Sequence, residues 1–230
     1  MPWTPRMPIS AMIFDIDGTL VDTNDSHTES WHRVFRDFGF PVSRDRIDVE
    51  VGKGGDKLLP SILGEDVDAR LGTSIRKEVT SEFLRIAAST RFRVFPGVVE
   101  LLGALRERRI RLALATSSKQ EQLDAIERSA GLSLASLVDH VITKDDARES
   151  KPAPDLVVAA LEKLEVEAHQ TVLVGDTPYD GEASRRAGVS FVGVLCGGRD
   201  PRLLKEAGAR HVWRDPADLL AHLDLVLRAA

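Results

Sequence analysis

Two aspartates separated by one residue, Asp15 and Asp17, stand in the segment FDIDGT, at the end of the apolar run at residues 9–16. Alternation along a strand sends both side chains to the same side. Carboxylates held that close repel unless a proton or a cation lies between them. Magnesium suits such a place, because it takes oxygen ligands from one or two carboxylates and from a substrate phosphate. Further on, ATSS places Thr116, Ser117 and Ser118 behind a second apolar run. Free N–H groups at the helix start that follows make a ready anion site, and Ser118 with Glu121 reads as a capping box. Lys151 lies in ESKPAPD, where the following proline pushes it out of helical conformation and into an extended loop. In GDTPYD, Asp176 follows an apolar run directly, Thr177 is a natural N-cap, Pro178 fits the first helical position and Asp180 falls in the first turn. Taken singly, Thr116 and Ser117 read more often as a polar strand end and Lys151 as a solvated charge. Asp180 reads equally as a cap or a functional group. The D-x-D-G-T pattern is far rarer by chance.

The elements that position these residues follow from the apolar pattern. Short runs at 9–16, 110–115, 137–142, 171–174 and 189–194 have the length and β-branched content of buried strands, with a sixth possible at 211–213. They alternate with helical segments at 98–108, 119–130, 154–164, 178–187, 201–207 and 216–228. That alternation predicts an α/β fold, a doubly wound, Rossmann-like parallel sheet covered on both faces. Such sheets bind ligands beyond the carboxyl ends of their strands, where the residues above fall. Residues 22–93 break the rhythm. Trp31, Val34, Phe35 and Phe38 form one helical apolar face, Leu58, Leu59, Ile62 and Leu63 a second, and Leu71, Ile75, Val79, Phe83 and Ile86 a third. This stretch is expected to be an inserted α-helical domain. The catalytic core would then comprise residues 1–21 and 94–230, re-entered at the Phe95-Pro96-Gly97 turn.

Composition narrows the classes. With 43% hydrophobic and 29% charged residues in 230, the chain is long and apolar enough for one core plus a small insert. A net charge of −5 gives no general attraction to nucleic acid or to an anionic membrane. The proline-rich first ten residues read as neither a signal peptide nor a membrane span. The single cysteine, Cys196, excludes an intramolecular disulfide and suits a reducing, cytoplasmic setting.

DIDGT, ATSS, the lysine of SKPAPD and GDTPYD, in this order and with a helical insert after the first, resemble the haloacid dehalogenase-like hydrolases. The resemblance covers essentially the whole chain and is closest to the phosphoglycolate phosphatase and β-phosphoglucomutase-like subgroup, whose insert is a helical cap. It implies a Mg2+-dependent phosphatase that hydrolyses a small phosphorylated metabolite through an aspartyl phosphate. Asp15 would be the nucleophile, and Asp17 the acid that protonates the leaving oxygen and then the base for water. Thr116 and the N–H groups near Ser117 and Gly18 would hold phosphoryl oxygens, with Lys151 neutralising charge. The metal would take Asp15, the backbone carbonyl of Asp17, and Asp176, with Asp180 on it or beside it. His27 and Trp31 match a pair in the first cap helix of the mutase-like members. The loop with Lys53, Gly54 and Gly55 would face the substrate, but Gly55 stands where the mutases carry an arginine. Hydrolysis is therefore expected over phosphomutase activity. A phosphonate hydrolase is less expected still, since those relatives lack the second aspartate and use a cap lysine. A dehalogenase, a signalling receiver domain and a silent binding protein fit the motifs less well. The resemblance allows a monomer or a homodimer.

Overall fold

The computed structural model describes residues 9–228. The reading of the first ten residues as free of a signal peptide falls almost wholly outside that range. Among the described residues six strands form one parallel sheet: β1 Ala11–Phe14, β2 Arg111–Ala115, β3 His140–Ile142, β4 Thr171–Gly175, β5 Ser190–Val194 and β6 Ala209–Trp213. Their order, β3-β2-β1-β4-β5-β6, puts the first strand in the middle with its neighbours on opposite sides. Reversal of strand order at β1 opens a crevice at the carboxyl end of the sheet. The register aligns Phe14 with Leu114 on one side and with Val174 on the other, so the residues that follow β1, β2 and β4 emerge side by side.

Eleven helices accompany the described strands. After β1 come α1 Asn24–Asp37, α2 Arg44–Asp48, α3 Gly55–Leu63 and α4 Glu65–Ser89, with no named strand among them. The remainder cover the sheet: α5 Val98–Glu107, α6 Gln120–Ala130, α7 Asp155–Leu164, α8 Pro178–Ala187, α9 Pro201–Glu206, α10 Pro216–Ala221 and α11 Leu223–Arg228. The single helix expected at 216–228 is two, broken at His222, whose Nδ1 lies 2.8 Å from the Asp218 carbonyl.

Period-two alternation sorts the sheet residues into two layers. Met12, Phe14, Leu112 and Leu114 pack with Leu101, Leu102 and Leu105 of α5. Ala11, Ile13, Ala113 and Ala115 pack on the other face with Leu156, Val157 and Ala160 of α7. The small alanines of β2 let α7 approach closely. Truncating fully buried Phe14 to alanine is expected to cost about 3–5 kcal/mol, because the layers cannot close over the cavity. Helices α1 to α4 enclose an apolar cluster of their own, built from Trp31, Val34, Phe35, Leu58, Leu59, Ile75 and Val79. The face expected to run along α4 from Leu71 to Ile86 divides: Leu71, Ile75 and Val79 join that cluster, whereas Phe83, with Ala87, joins the layer under the sheet. The long helix thus roots the insert in the core. Among the described residues no helix is long and apolar enough to cross a membrane.

Candidate active site

Asp15 is the first residue beyond β1, and its N–H donates to the Val174 carbonyl at 2.9 Å. Its carboxylate is buried. One oxygen receives the Lys151 ammonium, and the other accepts from the Thr19 hydroxyl at 3.2 Å. The same hydroxyl lies 3.1 Å from Asp176 Oδ1, placing it between two carboxylates from the ends of adjacent strands. Asn24 Nδ2 donates to the other Asp176 oxygen at 3.0 Å. Lys151, also buried, bridges Asp15 to Asp180 Oδ1, 2.7 Å away. The second Asp180 oxygen takes the Thr177 N–H at 3.1 Å and its hydroxyl at 2.6 Å, closing a capping box at the start of α8. Asp180 therefore caps its helix and joins the acidic site at once.

Carboxylate oxygens of Asp15, Asp176 and Asp180 lie within 4.8 Å of one another. Burial pushes the Asp15 carboxyl up; the Lys151 ammonium opposes this, and the Asp180, Asp176 and Asp17 charges add to it, leaving it well above the ordinary range. Burial, then the Asp180 charge, pushes Asp176 up to about 7. Burial lowers the Lys151 amine, but Asp15 and Asp180 more than reverse this and hold it protonated. Three buried carboxylates share one ammonium, so negative charge is left over. A set of hard oxygen donors with uncompensated charge fits a divalent cation such as magnesium.

Asp17 has a different environment. Burial alone would raise its carboxyl, but His27 and hydrogen bonds from His27, Thr23 and Ser118 outweigh it and hold the group far below the usual range. Oδ1 meets His27 Nε2 at 2.9 Å and the Thr23 hydroxyl at 2.6 Å. Oδ2 accepts from the Thr116 hydroxyl at 3.1 Å and from Ser118 at 3.0 Å. Two carboxylates two residues apart thus sit in opposite electrostatic settings, the arrangement that separates acid–base roles. His27 is fixed in turn by stacking on Phe83, centroids 4.1 Å apart.

Gly18 makes the turn after Asp17 possible. Its φ is +78°, and a Cβ there would fall 2.3 Å from Asp176 Oδ2. Asp15 and Asp17 open into a cavity of about 460 Å³ between the sheet ends and the insert. Ser117 and Ser118 line it from below; His27, Lys53, Gly54 and Gly55 line it from the insert. Thr116 and Lys151 lie behind this wall, wholly buried. The Thr116 hydroxyl is directed at Asp17, and it accepts the Ser118 N–H at 3.0 Å. Lys53 is already engaged, its ammonium on Glu50 of the insert and 4.7 Å over the Tyr179 ring of α8. Gly55 packs against Trp31, which a Cβ would approach to 3.1 Å.

The expected capping box of Ser118 and Glu121 does not form. Helix α6 starts later, at Gln120, with Lys119 as N-cap and its N–H donated to the Gln122 side chain at 3.1 Å. Ser118 is freed for Asp17. The motif reading contained Thr19 within DIDGT but gave it no role, and it did not place Thr23 or Asn24 on the aspartates. Their signal was a cluster of small polar residues just behind the aspartates, where a solvated helix start is the commoner meaning.

The profile of the haloacid dehalogenase-like hydrolase family matches residues 12–194, and the chain belongs to that family. It is 33% identical over 220 residues to a phosphorylated carbohydrates phosphatase of Thermotoga maritima, covering 95% of this chain and 100% of that one. It is 31% identical over 186 residues to a phosphoglycolate phosphatase of Nitrosospira multiformis, covering 79% and 81%. A hydrolase from Pseudomonas syringae superposes with a TM-score of 0.87 at 30% identity, over 94% of this chain and 99% of that one. The protein is accordingly an enzyme, a hydrolase of this superfamily whose relatives are named phosphatases.

Proposed function

We propose that the protein is a magnesium-dependent phosphatase that hydrolyses a small phosphomonoester through a phosphoryl group carried on Asp15. The observation that carries this reading is the division of labour at the strand ends. Asp15 sits in a cluster of carboxylates with Asp176 and Asp180 around the single Lys151 ammonium, and Asp17 sits apart, held by His27, Thr23 and Ser118.

Asp15, Asp176 and Asp180, with the Asp17 main-chain carbonyl, are the groups that would hold magnesium, which would offset the negative charge on the phosphoryl oxygens. An Asp15 oxygen attacks phosphorus as the ester P–O bond breaks, and the departing oxygen takes the proton held between His27 Nε2 and Asp17 Oδ1. Lys151, fixed between Asp15 and Asp180, keeps the nucleophile oriented and offsets the approaching dianion. Water then attacks the phosphorylated Asp15 and returns a proton to the Asp17–His27 pair, restoring the hydrogen bond between Oδ1 and Nε2. Inorganic phosphate leaves and Asp15 is restored. Ser117, Ser118 and the N–H groups around them and Gly18 are assigned to the phosphoryl oxygens, with Thr116 setting Asp17 from behind.

Residues 22–93 are assigned as a cap that closes over the site and excludes water. Two relatives are named phosphatases of phosphorylated carbohydrates and of phosphoglycolate, which supports a small phosphorylated metabolite as substrate. A cytoplasmic setting suits such a metabolite and the lone cysteine. Gly55 favours hydrolysis over mutase chemistry. The test is phosphate release from a panel of phosphorylated metabolites, with magnesium and with chelator. Release across the panel in chelator would refute the metal dependence. Conversion of a hexose 1-phosphate to the 6-phosphate, primed by the bisphosphate, would make the enzyme a mutase.

A further inference from the structure

The loop behind β5 runs through Cys196, Gly197, Gly198 and Arg199, and it touches both the acidic cluster and the insert. At one end, Gly197 lies directly on Asp176: a Cβ at that position would fall 1.7 Å from Oδ2. The Gly197 carbonyl accepts from Asn24 Nδ2 at 3.2 Å, and the same amide nitrogen donates to Asp176 at 3.0 Å. At the other end, two residues on, Arg199 leaves the core and enters the insert. Its Nη1 donates to Asp48 Oδ2 at 2.5 Å, and its Nη2 donates to the main-chain carbonyls of Asp48 at 2.6 Å and Val51 at 3.3 Å.

Those carbonyls belong to the turn at residues 48–52, which leaves α2 and becomes the cavity wall at Val51, Gly52 and Lys53. A helix end leaves carbonyls without intrahelical partners. Here the core supplies the partners. Beyond the two taken by Arg199, the Val49 carbonyl accepts the Tyr179 hydroxyl at 2.7 Å, and the Gly52 carbonyl accepts the Ser117 hydroxyl at 3.4 Å. Four carbonyls of one five-residue turn are thus held by side chains from outside the insert. The Arg199 side chain is only 10% exposed, and most of its acceptors are main chain, which sets it apart from a surface ion pair of negligible effect.

We propose that Arg199 is a positioning residue, binding the turn that walls the substrate cavity to the loop that covers Asp176, so that substrate contacts and acidic cluster keep one geometry. This rests on the reading of the site as a phosphatase centre, although the link itself is independent of the chemistry. A displacement of about 1 Å in substrate-facing groups is enough to weaken a reaction strongly. Lysine cannot replace the fork, because its compact ammonium does not span a carboxylate and two separate carbonyls.

The test uses the full chain with Arg199→Ala and Arg199→Lys, by hydrogen–deuterium exchange and by kinetics on a phosphorylated sugar and on p-nitrophenyl phosphate. In Arg199→Ala the amides of residues 49–53 are expected to exchange at least about tenfold faster, with those of α1 and α4 unchanged. KM for the phosphorylated sugar is expected to rise about tenfold, as for loss of a charged hydrogen-bond set, and kcat to change less than about threefold. The aryl phosphate, too short to reach the turn, is expected to change less than about twofold. Arg199→Lys should fall between wild type and alanine on the first two measures. Unchanged exchange at 49–53, or equal losses on both substrates, would overturn the proposal. If wild type hydrolyses no phosphomonoester, the phosphatase reading fails, and the exchange measurement alone decides the Arg199 link.

Discussion

Replacing Asp176 with asparagine should make the metal-free protein more stable at neutral pH while abolishing its response to magnesium. Asp176 is fully buried and faces Asp15 and Asp180 within 4.8 Å, and its carboxyl is pushed from 3.8 to about 7. At about 1.4 kcal/mol per pKa unit, carrying that charge without a cation costs ~4 kcal/mol above pH 7. The sign follows from linkage: with the folded value raised, this group's stability contribution is fully present below pH 3.8 and is lost as pH rises to about 7. Asparagine removes that loss. It keeps one acceptor for Thr19 but turns an amide toward the Asn24 amide, at a cost of roughly 1–2 kcal/mol. The difference leaves a gain of roughly 2 kcal/mol at pH 8, or about 4–8 °C in melting temperature for a chain of this size. At pH 4 the charge cost is nearly gone and the amide mismatch remains, so the variant should be roughly 1–2 kcal/mol less stable than wild type there. Thermal melts in chelator and across a magnesium titration provide the assay. Wild type should recover about 2.7 kcal/mol when magnesium reaches a hundred times its Kd, and Asp176→Asn should recover almost nothing. A variant less stable than wild type at pH 8 in chelator, or one that magnesium stabilises equally, would refute the placement of the metal on Asp176.

Three further outcomes are expected. Asp15→Asn should fold with the sheet intact and lose turnover entirely, and a phosphate mimic of fluoride and metal, located by crystallography, should sit against residue 15; bonding at any other side chain would end the mechanism. Lys53→Ala should raise KM for a substrate with an anionic tail at a cost of about 1.5 kcal/mol, the low end for a charged hydrogen bond because Glu50 already neutralises it, and leave a neutral aryl phosphate nearly unchanged; equal losses on both in steady-state assays would remove Lys53 from substrate recognition. Cys196, whose thiol burial and then the Asp176 charge push up to about 12, should carry roughly a thousandfold less thiolate than a free thiol at pH 8; alkylation followed by mass spectrometry should be slow until the protein is denatured, and fast labelling of the folded chain would contradict the burial.

What could be read from the sequence was whatever chain neighbours decide. Asp15, Asp17 and Asp176 follow apolar runs, so alternation and the switch-point rule were enough to place them at adjacent strand ends. Thr177, Pro178 and Asp180 build their helix cap from residues three apart. Where the outcome depended on partners far along the chain, the local signal misled or was silent. Ser118 carries a capping pattern, yet its hydroxyl goes to Asp17, 101 residues away. Asn24 looks like the opening of a solvated helix, yet it holds Asp176 across 152 residues. Arg199 lies in a glycine-rich loop that reads as a simple connection, and its partners at 48 and 51 belong to a helix-end turn whose open carbonyls no periodicity reveals. The division has a physical origin. Strand and helix signals arise from burial of neighbouring side chains, which the sequence displays directly. Packing of residues 22–93 against the carboxylates depends on polar groups satisfying one another at long range, and almost any polar residue in a loop is compatible with that until the fold brings its partner near. A buried carboxylate needs such a partner, since without one its desolvation would displace the whole segment. The acidic residues that announce the chemistry therefore also dictate that unannounced residues such as Thr19, Asn24 and Thr23 must converge on them.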